Sequence, residues 1–174
     1  MGKPVSCLSK AKVEIPEARY KADLELHDRY IGFSSELLRL ALAGMAALAA
    51  LAGLLTPFKA KSVIPLTTGF VWAASLALGF LTLAAACALA HRFYASDGMY
   101  HHFRAIKLLI LVEKQGTPSG DHANLQEEAR LDEEVRNGRF KASGRLMFAS
   151  ALLLALGIVA FGVAIWGMLP AVIG

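Results

Sequence analysis

LMFASALLLALGIVAFGVAIWGMLPAVIG, residues Leu146 to Gly174, runs for 29 positions without a charged side chain. A helix rises 1.5 Å per residue, so roughly 20 apolar residues cross a hydrocarbon core of about 30 Å. Two further blocks share this character, Leu40 to Phe58 and Ser62 to Ala90, and the shorter still holds 19 residues. A helix in a water-soluble bundle carries polar residues every third or fourth position on its solvent face. These blocks show no such face, and only a bilayer or a complete protein jacket tolerates helices that are apolar all round. The reading is therefore an all-α integral membrane protein: three transmembrane helices with cytoplasmic helical extensions forming a short stalk.

The boundaries follow from charge. Residues 1–35 form a cytoplasmic N-terminal segment with an amphipathic helix, 36–57 the first span, 63–91 the second, 92–144 a cytoplasmic helical hairpin, and 145–170 the third span. A long mixed-charge segment precedes the first block, unlike a removable signal, whose apolar core lies near the extreme N-terminus. Of 18 Lys and Arg residues, only Lys59 and Lys61 fall between the first two spans. Positive flanks stay in the cytoplasm, so the N-terminus is expected inside and the C-terminus outside. Trp72 and Trp166 then lie toward the outer leaflet as interface anchors, with Tyr30, Phe33, Phe93 and Tyr94 at the inner boundary. Arg39, about one turn inside the first span, is expected to snorkel to the headgroups or meet Glu36. The Ala/Leu-rich spans suit a bacterial inner membrane.

Pro16 suits a first helical turn. After it Tyr20, Leu24, His27, Ile31, Ser34 and Leu38 share one helical stripe, predicting a helix over about 17–55. Met99, Phe103, Ile106 and Ile110 form a second stripe, expected to pack on the one containing Leu24 and Ile31. Gly116-Thr-Pro-Ser-Gly-Asp121 reads as a turn, Asn124 with Glu127 as a capping box, and Gly138 as a break before the third span.

The chemistry is sparse. Asp97 stands one helical turn before His101, the spacing of helix-mounted ligands, and His27 with Glu113 extends a candidate metal or proton site. No Glu-x-x-His or His-Glu-x-x-His spacing accompanies it, so the expectation is no metal, no cofactor and no catalytic residue, and ordinary polar roles for these side chains. No glycine-rich phosphate loop or Gly-x-Ser-x-Gly elbow occurs. The formal charge of +4 is interleaved with acids rather than gathered, which excludes a nucleic-acid reading. Cys7 and Cys87 give no disulfide framework. Met1-Gly2 to Ser6 matches a myristoylation pattern, with chance the better explanation.

Inside the spans, Thr67, Thr68, Ser75, Thr82, Cys87 and Ser150 are expected to bond within their own helices. Small residues at spacing four, among them Gly53, Gly69, Ala73, Ser75, Gly79, Ala160 and Ala164, are expected to pack helices closely. The expected partners are the lipid bilayer and a homo-oligomer or membrane complex. The preferred function is a non-enzymatic subunit or adaptor presenting its stalk. The alternatives are an oligomeric pore or membrane-disrupting effector, and a metal-dependent membrane enzyme.

Overall fold

The computed structural model describes residues 15, 16, 18, 20–60, 68–115 and 120–173. They form three helices in the order α1 (Lys21–Ala60), α2 (Thr68–Gln115) and α3 (Gly120–Ile173). At 40, 48 and 54 residues they are roughly two to three times the length a hydrocarbon core requires. All three are long and apolar enough to cross a membrane, and only 17 to 28 % of their most apolar windows is buried within the chain. The rest of that apolar surface faces outward.

The chain divides into two compact units. The first comprises Met1–Asp28 and Ala95–Phe140, the second Arg29–Tyr94 and Lys141–Gly174. Each of the three helices contributes residues to both.

In the second unit the core lies along seams at alternating spacings of three and four. On α2 the seam runs through buried Ala77, Leu81, Ala84, Ala88 and His91, with Ala85 buried beside it; on α1 it runs through Ser34, Leu37, Ala41 and Leu48. On α3 the same seam runs through Ser143, Ser150, Leu154, Gly157 and Ala164. This is the spacing of helices packed side by side, knobs into holes. Leu81, 2 % exposed, is the central knob. A Cβ built on Gly44 would come within 2.9 Å of its side chain, and one built on Gly157 within 3.0 Å. A bulky residue of α2 thus lodges between two glycines, one on each neighbouring helix.

Several expectations need correction. α3 continues through Gly138 without a break, since a single helical glycine costs only about 1 kcal/mol and the helix is packed on both sides of it. Asn124 consequently lies inside α3 and caps nothing. α1 extends through Phe58 to Ala60, beyond its expected end, while Pro16 precedes its start. Gly53, Gly69 and Gly79 have open space where a Cβ would stand, and Ser75 is exposed, so none of them brings the chain's own helices together. The physical reason is angular: all four lie off the buried seams. Ala164 is fully buried and Ala160 packs on the core, whereas Ala73 is half-buried. Trp72 and Trp166 face outward, 67 % and 76 % exposed, as interface anchors require. Of the expected turn over 116–121, residues 116–119 lie outside the described residues and Gly120 and Asp121 belong to α3; Thr67, Lys61 and the Cys7 motif also lie outside them.

Candidate functional site

Several ionisable side chains of the first unit pair across its helices. On α2 the consecutive histidines diverge to different partners. Nδ1 of His101 lies 2.8 Å from Asp132 Oδ1 on α3. A carboxylate only accepts, so His101 donates from Nδ1. Asp132 is 7 % exposed and also meets Arg104, whose Nε stands 3.2 Å from Oδ2. Oδ2 receives no aligned N–H, so this second contact is coulombic rather than a formed hydrogen bond. Arg104 reaches Glu128 as well, at 3.8 Å. Spacings of three and four place His101 and Arg104 on one face of α2, and Glu128 and Asp132 on one face of α3, so the four meet as a block.

His102 joins three helices. Its Nε2 is 2.8 Å from Asp23 Oδ2 on α1, and its Nδ1 is 3.0 Å from Nη1 of Arg136 on α3. A guanidinium can only donate, which makes Nδ1 the acceptor and leaves the Nε2 proton for Asp23. His102 thus accepts at Nδ1 and donates from Nε2. Asp97 pairs with Arg139, Nε to Oδ2, at 2.8 Å. Below these ion pairs α2 and α3 pass closely: a Cβ on Gly98 would lie 3.1 Å from the Phe140 ring.

At the surface of α3, Arg130 donates from Nε and Nη2 to the two oxygens of Glu127, at 2.9 and 2.6 Å. This fork holds the Glu127 carboxyl below the usual carboxylate range, chiefly through the hydrogen bonds, which outweigh the opposing desolvation, with the Arg130 charge adding least. The Arg130 guanidinium is correspondingly pushed up.

The sequence-predicted candidates are not brought together. His101 turns to Asp132 and Asp97 to Arg139, although the two sit one turn apart on α2. His27 lies half-buried on α1 and Glu113 exposed near the end of α2. Among the described residues no three His, Cys, Asp or Glu side chains converge as a metal would require. Asp132, Arg104 and Arg136 were missed. The legible signal was the acid-rich run Glu127 to Glu134 facing the basic and histidine positions 101 to 104, which reads as complementary charge once both segments are helical.

On the apolar stripe of α2 Met99 and Ile110 are buried, and Phe103 makes an edge-to-face contact with Tyr20 at 5.5 Å. The tighter core is Leu108 with Leu125 and Ala129, backed by Leu111 and Val112.

The second unit holds its own polar contacts. Thr82 donates to Leu78 O at 2.8 Å, within its own helix as expected. Ser150 instead donates across to Ala84 O of α2 at 2.8 Å, because its position on the seam faces that helix. His91, 2 % exposed, sets Nδ1 2.7 Å from the Ser143 hydroxyl and 3.0 Å from the Ser143 carbonyl. Its Nε2 is buried without a partner among the described residues.

Comparison of the chain with protein-family models, with curated proteins and with solved structures finds no match to any of them.

Proposed function

We propose that the chain is a non-enzymatic integral membrane protein that acts as a subunit or adaptor, anchored by three spans and offering its polar helical unit to a partner protein or to another copy of itself. The observation that carries this reading is how the first unit distributes its side chains. Arg104, Arg130, Arg136 and Arg139 are each engaged by acids, histidine or amide within the unit. Meanwhile Leu26, Tyr100, Leu109, Leu131 and Val135 point outward. Large apolar side chains on the exterior of a polar unit are the composition of a protein-recognition surface, where aromatic and aliphatic anchors carry most of the binding energy. Leu131 and Val135 lie one turn apart on α3 and share a face.

The positive flanks support an arrangement with the N-terminus in the cytoplasm and Gly174 outside, sixteen Lys and Arg standing inside against two outside. A photo-reactive side chain at Val135 in the native membrane is expected to yield a discrete adduct, either with one partner or with a second copy. Replacing Leu131 with Ser in the same chain should reduce its yield several-fold. A chain that gives no adduct, and whose expression instead makes vesicles or cells permeable, would contradict the adaptor reading and favour the pore.

A further inference from the structure

One face of α3 has the chemistry of a phospholipid along its length. Lys141 and Arg145 stand one turn apart on the outside of the second unit, and the same helical stripe continues through Phe148, Leu152, Val159 and Trp166, all exposed. From Arg145 to Trp166 the rise is about 30 Å, one hydrocarbon thickness. On α2 the interval from Trp72 to Phe93 gives the same rise. Contacts of His91 with Ser143, and of Ser150 with Ala84, set the register of the two helices. That register puts Arg92 at the level of Lys141, with Arg145 about one turn along from them.

Counter-charge is scarce in the second unit. The second unit contains the basic residues Arg29, Arg39, Lys59, Lys61, Arg92, Lys141 and Arg145 and a single carboxylate, Glu36. Glu36 is taken by Arg39 at 2.8 Å. Among the described residues Arg92, Lys141 and Arg145 have no ion-pair partner, whereas Arg104, Arg130, Arg136 and Arg139 of the first unit are engaged. Cations left unpaired at the margin of an exposed apolar surface need anions that can reside at that margin.

We infer that Lys141 and Arg145 bind the phosphate of an anionic phospholipid whose acyl chains lie along Phe148 and Leu152. The site selects anionic over zwitterionic headgroups, because two cations one helical turn apart favour net negative charge by about fivefold per cation. The adjoining apolar stripe selects a lipid over free phosphate. This inference rests on the membrane reading above.

The test uses the full chain in phosphatidylcholine nanodiscs, with fluorescent phosphatidylglycerol or fluorescent phosphatidylcholine as the probe and inorganic phosphate as competitor. The wild-type protein should retain phosphatidylglycerol preferentially, and phosphate should not displace it. The K141A/R145A pair should lower that preference about 25-fold at unchanged thermal stability, while K141R/R145K should keep it. Both changes are on the exterior, so folding is preserved and measured independently in phosphatidylcholine. An undiminished preference in K141A/R145A, or equal retention of both lipids by the wild type, would overturn the site with the membrane reading intact. Displacement by inorganic phosphate would overturn the assignment to lipid. Failure of the wild type to incorporate into the bilayer would overturn the membrane reading itself, and the site with it.

Discussion

Replacing Leu81 with Ala is expected to destabilise the second unit by about 2–5 kcal/mol, toward the upper end of that range. The residue is 2 % exposed, and the groups facing it include the bare backbones of Gly44 and Gly157, which have no side chains to move into the void. The complementary change, Gly157→Leu, introduces a side chain where even a Cβ would lie 3.0 Å from Leu81 and is expected to cost about 1–3 kcal/mol or more through forced separation of the helices. Gly79→Leu provides the contrast. Its Cβ would enter open space, so the fold should change by no more than about 0.5 kcal/mol. Reversible unfolding in detergent micelles measures all three. Equal losses at positions 79 and 157 would contradict the packing described. A Gly79→Leu protein that stays folded but changes its assembly size would identify the outward face of α2 as a contact between copies.

The second large effect is expected at Arg104. Its removal as Arg104→Met leaves the Asp132 carboxylate, 7 % exposed, with His101 as its remaining neighbour. Breaking a fully buried pair costs about 3–5 kcal/mol, and the half-exposure of Arg104 reduces the expectation to about 1–3 kcal/mol. If the penalty comes from the stranded carboxylate, the double change Arg104→Met with Asp132→Leu should recover most of it, because well-packed apolar side chains replace a buried ion pair at little cost. A double variant less stable than the sum of its singles would show that the pair is held for another reason.

The three apolar blocks were legible because a run of that length without charge has few other physical solutions. The seams within them were legible as well, but in a different register from the one the small-residue pairs suggested. A glycine at spacing four from another small residue says that a close approach is sterically allowed, not that a neighbour lies on that side. Gly44 and Gly157 differ from Gly53 and Gly79 only in facing a leucine knob on another helix, which is a property of the assembled unit. Continuity through Gly138 was hidden for a related reason, since local propensity near 1 kcal/mol is easily outweighed by packing on either side.

The ion-pair block shows the same division. That positions 97 to 104 and 127 to 139 carry complementary charge is evident from the sequence. Which carboxylate meets which cation depends on the facing of α2 and α3. The one-turn spacing of Asp97 and His101 suggested a shared ligand, but each is drawn to an opposite group on α3 instead.

The central claim is that the apolar surface of these helices lies in a bilayer, and the chain's two tryptophans report on it directly. Both face outward, Trp72 67 % and Trp166 76 % exposed, at one end of the apolar stretch. In vesicles containing lipids brominated at graded depths, their fluorescence should be quenched most by bromines close to the headgroups, and only weakly by aqueous iodide, as indoles at the interface require. Emission typical of water-exposed indole, quenched freely by iodide and indifferent to brominated lipid, would contradict the account and place these helices in a water-soluble assembly.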